Sequence, residues 1–138
     1  MPYIDPTEEA GRALFSRRIE GPVAMLNLMR FRAVADYAAH PELAPGQPIS
    51  GAGAYDRYVA HTLPFLTRSG GAVLFDGDAA GFLVGPPDEI WDRVLLIRQA
   101  SLTAFLAFAR DPDYLAGIGH RTAALADSRL LPIVPRAG

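Results

Sequence analysis

The chain has 138 residues, of which 50% are hydrophobic and 20% charged; this composition suits one globular domain and excludes disorder and two full domains. Its net charge of -2 provides no basic field, so we expect neither nucleic acid nor an anionic membrane as a partner. The absence of cysteine excludes disulfides and thiolate catalysis, and the absence of lysine among the 13 basic residues excludes Schiff-base chemistry.

The N-terminal residues predict a helix over 5–19, with Asp5 as its cap, Pro6 in its first position and Gly21 as its stop. The acidic start does not resemble a signal peptide, and no apolar run is long enough to span a bilayer. We therefore predict a cytoplasmic protein.

Residues 22–31 predict a strand that is apolar on both of its alternating faces. The following segment, 33–50, contains three prolines and is predicted to be a loop, which we interpret as a mobile lid over a ligand. Helical spacing of apolar residues then predicts a helix over 50–68, bent by Pro64 and ended by Gly70 and Gly71.

The second half of the chain begins with a predicted hairpin of strands 72–75 and 82–84, followed by a β-rich run at 91–98. A helix is predicted over 101–110. A second helix, started by Asp111 and Pro112, is expected to run to about Asp127. A final strand follows at 129–134, and Pro132 places it at a sheet edge.

This order predicts an α+β, ferredoxin-like βαββαβ sandwich with an elaborated hairpin, in a single domain 1–138 made of an N-terminal extension, 1–21, and a core, 22–138. The helices cover one sheet face. Because the strands are apolar on both faces, we predict that a second copy covers the other face in a homodimer.

Four segments from the first strand to Pro132 carry a family resemblance: MLNLMRF, SGAGAYDRY, GPPDEIWDRVLLIR and DPDYLAGIGHRTAALADSRLLP. They resemble the domain of unknown function 1330 family of the dimeric α/β-barrel superfamily. The resemblance implies a ferredoxin-like fold that dimerises through its sheets, but it implies no reaction, since superfamily relatives include cofactor-free oxygenases, heme enzymes, isomerases and binding modules. Members often have Phe-Pro or Tyr-Pro where this chain has Gln99 and Ala100, and the leading helix is an addition to the pattern.

Asn27 is a polar residue within an apolar strand, so its amide needs a hydrogen-bond partner. We predict that it orients a substrate carbonyl or stabilises an oxyanion in a pocket. The alternative is that Asn27 bonds to backbone at a bulge or at the dimer contact.

The three histidines, His40, His61 and His120, are far apart and lack metal-ligand spacing, so no metal site is predicted. His120 is a candidate general acid or base beside Arg121, although a hydrogen bond to Asp127 is the simpler interpretation. Tyr114 and Arg121 lie two helical turns apart, which predicts that both face the same cleft as Tyr55, with His120 at its edge.

Other side chains are candidates for binding a ligand. Arg30 and Arg32 are placed to bind a carboxylate or to pair with Asp36 or Glu42, and Arg98 and Arg121 are further candidate cations. Arg121 has the alternative of tying its helix to Asp127 or Asp92. Aromatic residues able to line a cleft, or to form core, are Tyr55, Tyr58, Trp91 and Tyr114.

Three classes of function follow. The first is an enzyme without a bound cofactor, in a cleft between helices and sheet. The second is a binding module for a small apolar or carboxylated metabolite, and the third is a structural or stress-type dimer without a pocket.

Overall fold

Four strands form one antiparallel sheet in the computed structural model, which describes residues 2–136. They are β1 (Val23–Phe31), β2 (Ala72–Asp78), β3 (Arg93–Gln99) and β4 (Leu125–Ile133), in the order β2-β3-β1-β4. With helices between β1 and β2 and between β3 and β4, this is the ferredoxin-like βαββαβ arrangement. The predicted α+β fold class is confirmed.

The helices are α1 (Glu8–Ser16), α2 (Gly51–Arg68), α3 (Leu102–Ala109), α4 (Pro112–Leu115) and α5 (Ile118–Ala124). Side-chain oxygens of the residues just before α1, α2, α3 and α4 accept hydrogen bonds from backbone N–H groups of the first turn. In α1 the cap is Thr7 rather than Asp5, so the predicted helix over 5–19 was too long at both ends. No helix within residues 2–136 is long and apolar enough to cross a membrane.

The core lies between the helices and one face of the sheet. Met29 on β1 and Leu95 on β3 are buried there against Ala54 and Tyr55 of α2. Because alternate strand residues point to opposite faces, the intervening residues point to the other face of the sheet, where they are half-buried: Leu26, Leu28, Val94 and Leu96. The second face therefore lacks a covering layer within residues 2–136.

The predicted hairpin was wrong in its second strand. β2 continues to Asp78 and pairs directly with β3, so the described residues contain four strands rather than five. Residues 82–84 form no strand, and Leu83 and Val84 are almost fully exposed. Gly85, Pro86 and Pro87 follow them, and proline cannot donate to a β-ladder, so the local β-propensity of FLV was overridden.

The predicted second helix of the C-terminal half was also too long. It is interrupted after Leu115, and β4 begins at Leu125, so Asp127 lies in a strand. At Gly117, between α4 and α5, the backbone approaches the His61 ring so closely that an added Cβ atom would force the ring to move. Pro132 lies in the edge strand β4, as predicted.

Candidate ligand cavity

A cavity of about 240 Å³ lies between the helix-covered face of the sheet and helices α2 to α5. Most of its wall is apolar. The wall includes Met25, Val59, Leu66, Ile97, Phe105 and Phe108. Leu63 and Leu130 also line it and are 40% and 45% exposed, so the cavity reaches the surface.

Two periodicities in the sequence, one in β1 and one in α2, determine which side chains form this wall. On β1 the odd-numbered residues Met25 and Asn27 face the helices, because alternate strand residues share a face. On α2 the residues that line the cavity recur every three or four positions, at Tyr55, Tyr58, Val59, Thr62, Leu63 and Leu66. The Gly51 N–H at the start of α2 donates a hydrogen bond to the Arg32 oxygen, just past the C-terminal end of β1. Tyr55 therefore lies near the C-terminal end of β1, and Leu66 lies near its N-terminal end.

Three tyrosines form one end of the cavity. The Tyr58 and Tyr114 hydroxyl oxygens are 2.8 Å apart and share a hydrogen bond. The ring of Tyr55 is 5.3 Å from the ring of Tyr58. The prediction that Tyr55 and Tyr114 line the same cleft is confirmed in their placement.

Burial, with a smaller contribution from neighbouring Tyr58, raises the pKa of Tyr55 and of Tyr114 well above the ordinary value of 10. The charge of Arg121 opposes this rise at both residues. Both hydroxyl groups are therefore neutral at physiological pH, and each can donate or accept a hydrogen bond but does not act as a base.

Arg93 supports this end from outside the cavity. Its guanidinium carbon is 5.4 Å from the centre of the Tyr55 ring. The Arg93 side chain donates hydrogen bonds to Asp76, at 2.9 and 2.7 Å, and to Asp56, at 2.9 Å. The hydrogen bond from Arg93 lowers the pKa of Asp76, so this ion pair persists at neutral pH and holds the cation against Tyr55.

Arg121 lines the cavity next to the tyrosines, as predicted. Its side chain is 17% exposed, and its Nη1 atom is 3.8 Å from Oδ1 of Asp5, a distance beyond hydrogen bonding. Neither Asp127 nor Asp92, the partners considered from the sequence, forms an ion pair with it. The Arg121 side chain is thus mostly buried, and its nearest carboxylate, on an exposed residue, is too far away for a hydrogen bond.

Asn27 faces the cavity from the middle of β1. Its Nδ2 atom donates to the backbone oxygens of Met25, at 3.1 Å, and of Leu95, at 3.5 Å. The amide nitrogen is thereby satisfied by backbone, while Oδ1 accepts no hydrogen bond from residues 2–136. Backbone hydrogen bonds therefore fix the Asn27 side chain, which also forms part of the cavity wall.

The far end of the cavity contains two polar residues that the sequence analysis did not select, Thr62 and Gln99. They are 8% and 2% exposed, and Thr62 Oγ1 and Gln99 Oε1 have no hydrogen-bond partner among residues 2–136. A signal was available. Thr62 interrupts the apolar stripe of α2, and Gln99 continues the inward alternation of Leu95 and Ile97, so both are polar residues at core positions.

His120 does not line the cavity. Its Nδ1 atom is 2.8 Å from the Tyr37 hydroxyl oxygen, so its partner is this loop tyrosine rather than Asp127. Burial, with the charges of Arg57 and His61, lowers the pKa of His120. The expected position of His120 at the cleft edge was wrong, because its turn of α5 packs against the 33–50 loop.

Arg30, Trp91 and Arg98 also lie away from the cavity. Arg30 donates to the Ile90 carbonyl oxygen at 2.9 Å, and its guanidinium carbon is 5.1 Å from the Trp91 ring centre. Trp91 is buried there, and Arg129 also contacts its ring. Arg98 is exposed on the sheet face that points away from the helices, and Arg32 is exposed as well.

The 33–50 loop contributes no residue to the cavity wall, so its expected role as a lid is not supported. Instead its backbone bonds to α5, with Asp36 N donating to the Ala123 oxygen at 2.9 Å. The segment that does reach the cavity precedes α1 and contributes Asp5 and Pro6. Within residues 2–136 no three acidic or histidine side chains converge as a metal site would require.

Comparison with family models and with curated proteins gave no match. Among solved structures, a protein of unknown function from Rhodopseudomonas palustris, RPA0582, is 38% identical, with a TM-score of 0.83 over 100% of both chains. The methylated RPA0582 protein is 39% identical, with a TM-score of 0.85 over 99% of this chain and 96% of that chain.

A dabb family protein with a ferredoxin-like fold from Mesorhizobium loti is 12% identical, with a TM-score of 0.49 over 86% of this chain and 100% of that chain. This weaker likeness bears on neither function nor assembly. The chain shares 38% to 39% identity with RPA0582 over nearly the full length of both chains, and it therefore belongs to the same family as RPA0582 of Rhodopseudomonas palustris.

Proposed function

We propose that the protein binds a small, mostly apolar metabolite with a carboxylate or similar anionic group, in the cavity between the helices and the sheet. The volume of about 240 Å³ supports this size class. An apolar protein cavity of roughly 150 Å³ holds benzene. One ring with a short acidic side chain therefore suits the space.

The observation that carries the proposal is the environment of Arg121. A guanidinium group loses hydration when it is placed against an apolar wall, and this cost is recovered only by a nearby anion or by hydrogen-bond acceptors. Asp5 is a weak partner, because its side chain is 73% exposed and lies 3.8 Å away. A carboxylate inside the cavity would supply the missing bidentate acceptor.

A titration calorimetry experiment with phenylacetate tests this proposal, and 2-phenylacetamide is the control of the same shape without the charge. We expect phenylacetate to bind and the amide to bind much more weakly, because only the carboxylate pairs with Arg121. Equal binding of the two, or binding of neither, would contradict the proposal. A thermal-shift screen of carboxylated metabolites would then identify the natural ligand.

Catalysis without a bound cofactor is the second candidate, favoured by Arg121 and the neutral hydroxyl groups of Tyr55 and Tyr114 in one cavity. Such donors stabilise a developing enolate or oxyanion. The candidate predicts product formation, detected by mass spectrometry, from a metabolite found in the screen. Binding without turnover would leave the protein as a binding module. A purely structural dimer without a pocket does not account for the cavity.

We also propose a homodimer formed through the outer sheet face. Its support is the apolar surface around Leu26, Leu28, Val94 and Leu96, which Phe75 and Leu131 extend with exposures of 60% and 58%. Sedimentation should give about 30 kDa, twice the 14.8 kDa of one chain. Leu96→Asp should give the monomer mass, because a charge cannot be buried in an apolar contact. A wild-type monomer at high concentration would contradict the proposal.

Two further expectations remain proposals. Membership of the domain of unknown function 1330 family rests on the four sequence segments described above. The cytoplasmic location rests on the absence of cysteine, which fits a reducing compartment.

A further inference from the structure

A hairpin arm carries the most exposed large apolar side chains among residues 2–136. The arm comprises residues 79–92, between β2 and β3, and Leu83 and Val84 at its tip are 101% and 90% exposed. We infer that in the homodimer each arm lies on the outer sheet face of the other copy, where Leu83 and Val84 become buried. This inference rests on the proposed homodimer and names a segment that holds its two copies together.

The arm is an ordered part of the fold. Two backbone hydrogen bonds of 3.0 Å continue the pairing of β2 with β3 into its base, from Ala79 N–H to the Asp92 oxygen and from Trp91 N–H to the Ala80 oxygen. At the tip the Phe82 ring lies so close to Gly85 that an added Cβ atom would be 2.8 Å from it. Pro86 and Pro87 follow and restrict the backbone. A segment that is already ordered loses little conformational entropy when it binds a partner.

The base of the arm lies on the outer side of the sheet. Arg30 occupies an outer-face position of β1, and Arg129 of β4 is paired with Leu28 on the same face. The Trp91 ring contacts both guanidinium groups, whose carbons are 5.1 and 4.9 Å from its centre. Arg30 also donates a hydrogen bond to the Ile90 oxygen at 2.9 Å. The arm therefore leaves the sheet on the side whose apolar residues lack a cover.

The surface area of the chain supports a second copy as the occupant. The chain exposes 8610 Å², whereas a compact monomer of 14.8 kDa exposes about 7,000 Å². Protruding segments such as the arm contribute to this excess of about 1,600 Å², which is larger than the roughly 800 Å² that each partner buries in a standard interface. The arm and the outer face together thus offer enough surface for a stable dimer.

The charges of the arm and of the outer face are complementary. The arm tip carries Asp88 and Glu89 and no basic residue. On the outer face, Arg30 and Arg98 form no ion pair within residues 2–136. A second copy therefore presents cations to the acids of the arm. An anionic membrane surface would instead repel these acids, which makes it a poor occupant.

The first test is sedimentation equilibrium of a variant that carries both Leu83→Ser and Val84→Ser. Because both side chains are exposed in the single chain, the variant should fold, and circular dichroism checks this. A dimer contains two arms, so the variant removes four buried apolar side chains. We expect its dimer dissociation constant to be at least about 100-fold higher than that of wild type.

The matched control carries Val34→Ser and Leu115→Ser. These two side chains are 59% and 42% exposed, and they lie in the 33–50 loop and in α4, away from the outer sheet face. We expect the control to have the wild-type dissociation constant. An equal weakening of the dimer in the control would overturn the inference, because the effect would then not belong to the arm.

The second test locates the contact with a photoreactive benzoylphenylalanine in place of Leu83. A mixture of ordinary and isotope-labelled protein distinguishes cross-links between copies from those within one copy. We expect mass spectrometry to find cross-links between copies, on peptides that contain outer-face residues such as Leu26, Leu28 or Leu131. Cross-links only within one copy, or only to the helices of the second copy, would overturn the inference.

An unchanged dissociation constant in the arm variant would also overturn the inference, while the proposed homodimer through the sheet face would stand. A wild-type monomer at high concentration would reject the proposed homodimer and the inference together. Sedimentation of wild-type protein with phosphatidylglycerol vesicles, lost in the arm variant, would assign the arm to a membrane surface and overturn the inference.

Discussion

Replacing Arg121 by glutamine removes the cation that the proposed ligand requires and keeps most of the side-chain volume. A hydrogen bond to a charged group contributes about 1.5–3 kcal/mol. If a carboxylate pairs with Arg121, the variant should bind phenylacetate about 10- to 150-fold more weakly.

The folded protein should tolerate this change. The contact of Arg121 with Asp5 is 3.8 Å long, and the Asp5 carboxylate is largely exposed, so the pair contributes less than about 1 kcal/mol to stability. A loss of that size lowers the Tm by only a few degrees for a domain of this length. Affinity and stability are thus expected to respond very differently to one substitution.

The assay is titration calorimetry at pH 7, with thermal unfolding measured in parallel. Asp5→Asn is a second variant that should change the ligand affinity in the opposite direction. It removes a carboxylate that lies near the same guanidinium group, where it repels the ligand anion and competes with it. We expect tighter binding of phenylacetate by Asp5→Asn and weaker binding by Arg121→Gln. Unchanged affinity in Arg121→Gln would refute the reasoning, since the cation would then not contact the bound molecule.

Asn27→Leu removes two hydrogen bonds to backbone oxygens, and because added apolar contact partly offsets their loss, the Tm should fall by only a few degrees, with phenylacetate affinity little changed, since neither amide hydrogen is free for a ligand; a large loss of affinity at unchanged Tm would instead make Asn27 a ligand contact. Gly51→Ala should destabilise by about 2 kcal/mol or more in urea unfolding, since the new Cβ overlaps the Arg32 oxygen, whereas Gly46→Ala, with open space around it, is the neutral control. Burial lowers the pKa of His120 below its ordinary value of 6.5, because the folded protein disfavours the charged imidazole. His120 therefore costs the folded protein no stability above pH 6.5, and the free energy of unfolding decreases as the pH falls through the folded-state pKa. Urea unfolding should show a smaller loss between pH 7 and pH 5 in His120→Gln than in wild type; equal losses would contradict this.

Local periodicity predicted much of the fold and part of the site. The alternation in β1 placed Asn27 on one face, and the helical spacing of Tyr55 predicted its inward direction. Arg121 was predicted from its distance to Tyr114, and it does line the same cavity even though Gly117 interrupts the helix between them. The predictions for Asn27, Tyr55 and Arg121 were correct because each depends on residues that are close in the sequence.

The errors arose where distant segments decide the structure. His120 bonds to Tyr37, which is 83 residues away and lies in a loop without periodicity. Trp91 was named as a cleft or a core residue; it is buried outside the cavity, against Arg30 of β1 and Arg129 of β4. Gln99 was missed although the alternation of β3 places it on the inward face; its lack of a hydrogen-bond partner depends on distant segments and is visible only in the structure.

The central claim is most directly tested by a crystal structure of the protein soaked with phenylacetate. We predict that the ligand occupies the cavity with its carboxylate within hydrogen-bond distance of the Arg121 guanidinium group. A saturated crystal in which the cavity holds only water, or in which the ligand lies on the outer sheet face, would contradict the account.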